Sequence, residues 1–166
     1  MTTPEELKEK LWKTLEQDRT VMLGVPGVPG VPGEPGAGLR PMTAQVEDLG
    51  SPVWFFAGSP NSLIDLARDG VAAVAVVVSK DHDLFATIDG RLHLDNDPAV
   101  IDRLWNPFIA AWFDGKDDPK LALLRFDPGN AEVWKNENNL LAGIKMLLGV
   151  DPKKDYADNQ AQIPLR

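Results

Sequence analysis

Leu84-Phe85-Ala86-Thr87-Ile88-Asp89-Gly90-Arg91-Leu92-His93-Leu94 is the stretch on which the fold turns. Leu84, Ala86, Ile88, Leu92 and Leu94 share one side of an extended chain, and Phe85, Thr87, Asp89, Arg91 and His93 share the other. A period of two marks a β-strand with one face toward a core. Gly90 interrupts the strand and predicts a bulge or a close backbone approach. Immediately upstream, Val71–Val78 is β-branched and continuously apolar, the pattern of a strand buried on both faces.

Working outward, Leu7, Leu11 and Leu15 recur every fourth residue beside Trp12 and predict an amphipathic helix. Thr3 suits its N-cap, Pro4 its first turn, and Glu6 completes a capping box. Residues 19–23, 39–47 and 53–57 read as strands, the last two separated by the turn Leu49-Gly50-Ser51-Pro52. Residues 63–68 predict a short helix that stops at Gly70. After Asp97-Pro98 a second helix carries Ile101, Leu104, Trp105, Phe108, Ile109 and Trp112 on one stripe, and Pro107 should kink or divide it. Trp105 and Trp112 are expected in core or dimer contacts. Residues 121–126 and 131–134 read as two more strands joined across Asp127-Pro128-Gly129-Asn130. Leu140, Leu141, Ile144, Leu147 and Leu148 predict a last amphipathic helix ending at Gly149.

Between the first two strands, residues 24–38 hold glycine at every third position and repeat Val-Pro-Gly. A collagen triple helix needs many more triplets, so the stretch reads as a loop insertion at a hairpin tip. The chain of 166 residues is read as one domain over 1–166, with a polar surface tail over 151–166. About seven strands with hairpin-length links predict an α+β fold built on an antiparallel barrel rather than a parallel sheet.

Composition narrows the function. A formal net charge of -8 disfavours nucleic acid and anionic membrane as partners. The longest aliphatic run, Val71–Val78, is too short to cross a bilayer, and no signal peptide is visible, so a cytoplasmic location is the default expectation. With no cysteine there is no disulfide, thiolate metal site or cysteine nucleophile. Gly115-Lys116-Asp117 lacks the earlier glycine and the following Ser or Thr of a P-loop, and Asp95-Asn96-Asp97-Pro98 lacks calcium-loop spacing. His82 and His93 have no spacing that pairs them on a metal, so no metal is expected.

Arg40-Pro41-Met42-Thr43, followed by Trp54-Phe55-Phe56-Ala57 and Ser59-Pro60-Asn61-Ser62, resembles the FMN-binding signature of the pyridoxamine 5'-phosphate oxidase-like split barrels. Leu104-Trp105-Asn106-Pro107, Ala111-Trp112-Phe113 and Gly115-Lys116-Asp117-Asp118-Pro119 are similar to the general stress branch of that family. Ala131-Glu132-Val133-Trp134 resembles its terminal strand. The resemblance runs from Glu5 to about Tyr156 and implies an FMN-binding split barrel with flanking helices. It also implies a homodimer with the cofactor site between subunits, and FMN, with FAD as the alternative.

Carried over by position, the resemblance implies that Arg40 contacts the flavin phosphate and that Met42 and Thr43 line the ribityl chain and ring edge. Phe56 and Ala57 would stand at the strand end, Ser62 would donate to phosphate, and Trp134 would approach the ring from the second subunit. A guanidinium beside a helix start suits phosphate. The family commonly carries a hydroxyl where Ala57 stands and basic residues where Leu63 and Ile64 follow Ser62; a lysine is expected at 64. The implied function is a general stress flavoprotein with flavin-dependent oxidoreductase chemistry of unassigned substrate. The alternative is a split-barrel dimer with weak or no flavin binding that acts as a binding or scaffold module. A pyridoxamine phosphate oxidase proper is disfavoured, because no second phosphate-binding set of arginines and histidines stands near the C-terminus.

Overall fold

A computed structural model of the chain describes residues 2–27, 38–136, 147–149 and 160–166. Helix α1 (Pro4–Asp18) starts with the capping box that its sequence spells. Glu6 N–H donates to the Thr3 hydroxyl, and Thr3 N–H donates to the Glu6 carboxylate. Leu7, Leu11, Trp12 and Leu15 face the core. Arg19, in the left-handed region at φ 64°, ends the helix and turns the chain into β1 (Thr20–Gly24).

Strand β1 pairs antiparallel with β2 (Arg40–Thr43), from Thr20 opposite Thr43 to Leu23 opposite Arg40. The Gly/Pro-rich insertion therefore joins two hairpin strands. Residues 28–37 of it lie outside the described residues, while Val25 at its near end is buried in the core.

The strand expected over 39–47 is two strands. Thr43 ends β2, Ala44 stands alone, and β3 (Gln45–Glu47) pairs with β4 (Gly50–Gly58) instead. Their turn is made by Asp48 and Leu49, both at positive φ, between the paired Glu47 and Gly50, two residues earlier than the expected turn over 49–52; Pro52 lies inside the strand.

With β5 (Val71–Val78), β6 (Leu84–Leu94) and β7 (Leu121–Lys135), the order across the sheet is β2-β1-β5-β6-β7-β4-β3. Strands β2 and β3 stand at opposite ends of that path, yet Ala44 alone separates them in sequence. Two trans peptides span at most about 7.6 Å, so the ends of the sheet must meet. The result is a curled antiparallel half-barrel, and the helices pack around it.

Two sequence expectations need correction here. Residues 121–126 and 131–134 are not two strands joined by a turn. They are one fifteen-residue strand, β7, paired with β6 from Leu84–Lys135 to Leu94–Leu124. The pairing register shifts between Asp89 and Gly90, which places Gly90 opposite Pro128 and lets a residue without an N–H sit in the strand. Nor are residues 160–166 a surface tail. Strand β8 (Gln160–Pro164) pairs with β7, and Ile163 and Leu165 are buried. The tail over 151–159 and the helix expected over 140–148, apart from Leu147 and Leu148, lie outside the described residues.

A third correction concerns which strand is covered twice. In β5 only Ala73, Ala75 and Val77 are buried; Val74 and Val76 are half-buried and Val78 is 48% exposed. Strand β4 is sealed on both sides, as is the start of β7 over Leu121–Leu124. Val53, Phe55 and Ala57 enter the barrel core, while Trp54 and Phe56 pack outward with Val100, Ile101, Leu121 and Leu123 beneath α3 (Pro98–Leu104). Pro107 does divide the predicted helix, giving the single turn α4 (Pro107–Ala110). Ile109 is buried, but Phe108 and Trp112 are 81% and 84% exposed, so the expected core contact of Trp112 does not form.

Gly90 marks the tightest point of the sheet. A Cβ there would lie 2.5 Å from the Asp127 carbonyl oxygen and 2.7 Å from the Phe126 ring, and Phe126 is fully buried. Gly90→Ala should therefore cost about 1–3 kcal/mol through overpacking. A denaturant midpoint equal to that of the parent protein would show that the strands separate freely at the bulge.

Candidate functional site

One side-chain oxygen organises the region where β2 meets α2 (Ser62–Ala67). Asn61 Oδ1 accepts from the Leu63 N–H at 2.9 Å, which caps α2, and from the Arg40 guanidinium at 2.8 Å. A second Arg40 nitrogen donates to the Ser62 hydroxyl at 3.4 Å. Arg40 is half-buried, and that burial holds its pKa below the ordinary arginine value. An arginine keeps its charge at any working pH, so the fold maintains a cation partly out of water. An anion placed there would offset that desolvation.

Beside this arginine lies a cleft of about 800 Å³. Pro41, Met42 and Thr43 of β2, Phe56, Ala57 and Gly58 of β4, and Asn61 line its inner side. Across from them stand Asn106, Phe108, Ile109, Trp112 and Phe113, with Arg19, Thr20 and Gln45 completing the wall. The volume falls in the range of small-molecule sites, roughly 300–1,000 Å³.

Of the residues expected from the resemblance, Met42, Thr43, Phe56 and Ala57 line this cleft; Arg40 and Ser62 are not in its lining, and Arg40 reaches it through its hydrogen bond to Asn61. Phe56 serves twice, lining the cleft and meeting Trp105 edge-on with centroids 6.4 Å apart. Trp134 is not among the lining residues. It sits on β7 opposite Phe85, twelve residues beyond Ala122, the partner of Ala57. At about 3.3 Å per residue that is on the order of 40 Å along the strand.

Sequence reasoning missed Arg19, Thr20, Gln45 and the whole segment from Asn106 to Phe113. The Asn-Pro pair at 106–107 was the available signal. Asn106 Oδ1 accepts from Phe108 N–H at 2.9 Å and Ile109 N–H at 3.1 Å, starting a new helical turn. That turn lifts Phe108 and Trp112 out of the core and onto the lip of the cleft.

Comparison with known proteins places this architecture. The family model for pyridoxamine 5'-phosphate oxidase-like proteins matches residues 6–156. A solved general stress family protein from Xanthomonas campestris pv. campestris is 51% identical, covers 84% of this chain and 93% of its own, and superposes with a TM-score of 0.74. The general stress FMN/FAD binding protein from Xanthomonas citri is 50% identical over 81% of this chain and 92% of its own, with a TM-score of 0.73. General stress protein 26 from Bacillus subtilis (strain 168) is 35% identical over 46 residues, which span 28% of this chain and 33% of that protein. The chain belongs to the general stress branch of the pyridoxamine 5'-phosphate oxidase-like family.

One expectation drawn from the family pattern fails in space. Leu63 and Ile64 are 0% and 2% exposed and lie in the barrel core with Ala67, not at the surface where the family pattern has basic residues. On a helix this short the residues just after the cap turn inward, so Ser62 alone of the three stays beside Arg40. A lysine at 64 would bury an ammonium among aliphatic side chains, where the penalty is several kcal/mol. Ile64→Lys should lower stability by about 3 kcal/mol or more and add nothing to phosphate affinity. Thermal unfolding checks this, and an undiminished melting temperature would mean that the lysine finds solvent.

Proposed function

We propose that this protein is a homodimeric flavin-binding protein whose cleft holds FMN, with the phosphate at Arg40, Asn61 and Ser62. The observation that carries the proposal is the partly desolvated Arg40, pinned by the Asn61 oxygen at the end of a cleft of cofactor size. Met42 and Thr43 extend from it along β2 and suit a polyol chain followed by a ring. Phe56 and Ala57 of β4 continue the same side of the cleft. The flavin-binding relative from Xanthomonas citri supports the same ligand class.

When bound, the flavin supplies hydride and electron transfer, and the protein supplies position and electrostatics. Arg40 holds the anionic end and Asn61 fixes the guanidinium. The buried aliphatic base of α2 keeps Asn61 and Ser62 in place. The reaction class is flavin-dependent oxidoreduction.

The outer face of the sheet supports the dimer. Residues opposite one another in antiparallel strands share a face. One row across this face runs Pro41, Met22, Val76, Thr87, Glu132 and Gln162, and the next runs Val78, Phe85, Trp134 and Gln160. Met22, Val76, Val78, Phe85 and Trp134 make this face apolar, and Pro41 ties it to the cleft. A second copy seated there would cover the apolar rows and bring its own Trp134 toward the neighbouring cleft. Within one chain Trp134 has no route to that place.

A second reading rests on Ala57, Leu63 and Ile64, which offer the phosphate no hydroxyl and no further cation. It keeps the dimer and assigns the cleft to a non-enzymatic binding role.

Two measurements test the proposal. Arg40→Ala should weaken FMN by about 10- to 150-fold, the value of a charged hydrogen bond, and leave riboflavin nearly unchanged. Fluorescence titration reads both ligands, and equal effects on the two would remove the phosphate from Arg40. Light scattering at micromolar concentration should give a dimer mass, and Val76→Asp should give a monomer. A parent protein that stays monomeric would end the dimer assignment.

A further inference from the structure

Arg19 is the one charged side chain among the described residues that line the cleft. The chain carries 25 carboxylate side chains and a formal net charge of -8, yet none of those carboxylates stands in the lining. Nor does any carboxylate pair with Arg19 among the described residues. Its Nε donates only to the Glu16 carbonyl of its own helix, at 3.3 Å. The cleft wall therefore holds an exposed cation and nothing of opposite sign.

The backbone at this position needs a reason. Arg19 ends α1 at φ 64°, a conformation usually left to glycine because a side chain there crowds the main chain. Its carbonyl accepts from the Ala44 N–H at 2.6 Å, where the sheet closes, so the residue is held in place. A glycine would make the same turn without the crowding. What the arginine adds is its side chain, and non-glycine residues held in this region cluster at functional sites.

Register sets the distance from Arg40. Arg40 stands opposite Leu23 and Thr43 opposite Thr20, and Arg19 precedes Thr20. From Leu23 to Arg19 is four residues, about 13 Å at 3.3 Å per residue. With a phosphate at Arg40, that span holds a polyol chain and the near part of a ring. Thr20 and Thr43, paired with each other, and Gln45 two residues on add hydroxyl and amide groups at the Arg19 end. A flavin ring carries carbonyls on one edge, and these groups suit that edge.

We propose that Arg19 is a redox-tuning residue, whose guanidinium faces the carbonyl edge of the flavin ring and favours the reduced ring over the oxidised one. The proposal rests on the FMN assignment above and deepens it. Uptake of two electrons and one proton leaves that edge with one negative charge, and a fixed cation beside it stabilises that charge. Riboflavin shares the ring and lacks the phosphate, so Arg19 acts on both ligands where Arg40 acts on one.

Fluorescence titration of FMN and riboflavin, with a redox titration of the FMN-loaded protein at low ionic strength, tests it on three variants. Arg19→Gly should weaken FMN and riboflavin alike, by about 2- to 12-fold, the value of one net hydrogen bond. Reduced FMN should weaken about tenfold more than oxidised FMN, which lowers the midpoint potential by about 30 mV. Arg19→Lys keeps the charge and should hold the potential close to the parent value. Glycine suits φ 64°, so Arg19→Gly should melt at or above the parent temperature, which separates binding from folding. An unchanged potential in Arg19→Gly would overturn the proposal. Weakening of FMN alone would put the phosphate at Arg19 and overturn it as well. Arg40→Ala isolates the underlying assignment: if it weakens both flavins alike, the phosphate is not at Arg40, whatever Arg19 does.

Discussion

The architecture depends on Ala44. A seven-strand path that begins at β2 and ends at β3 is bridged by this one residue, so the backbone itself forces the sheet to close. Ala44 is 1% exposed, and its N–H donates to the Arg19 carbonyl at 2.6 Å, which ties the closure to the left-handed end of α1. A larger side chain would have to enter the core where two sheet edges converge. The small residue, the left-handed arginine and the change of strand partner are one device.

That closure also makes the site. Drawing β2 around to β4 sets Met42 and Thr43 against Phe56 and Ala57, residues from opposite ends of the strand order. Arg40 then reaches the Asn61-Ser62 corner, where a single amide oxygen satisfies both the helix cap and the guanidinium. Because β4 is covered on its outer face by α3, Phe56 can belong to the outer cluster and the cleft together, braced by Trp105. The lip from Asn106 to Phe113 follows from the same layer, since Pro107 ends one helix and Asn106 starts the next.

Much of this was legible in the residues. The period of two over Leu84–Leu94, the Thr3-Pro4-Glu6 helix start and the division at Pro107 reach the structure unchanged, because each depends on neighbours within a few residues. The family resemblance named Arg40, Met42, Thr43, Phe56, Ala57 and Ser62, and of these Met42, Thr43, Phe56 and Ala57 line one cleft. The errors share a different cause. Asp127-Pro128-Gly129-Asn130 has turn chemistry, yet the register shift at Gly90 holds it in a continuous strand. Val71–Val78 reads as doubly buried and Val53 as the start of an ordinary strand, but the α3 layer covers β4 and the start of β7 instead. Ile64 falls where the family pattern has a cation, and the pitch of a six-residue helix turns it into the core.

Sequence alone therefore determined the first helix, the strands over 20–24, 71–78 and 84–94, and the break at Pro107. These are properties of local periodicity, capping and chemical type. Only the tertiary structure decided which strands lost their solvent face, how 160–164 became a strand paired with β7, and which residues beyond the family pattern line the cleft. Such outcomes depend on contacts between elements far apart in the chain. Phe108 and Trp112 show the difference most plainly. Their apolar spacing is that of a buried stripe, and it is the packing of Ile109 and the Asn106 cap that turn both rings outward to the cleft.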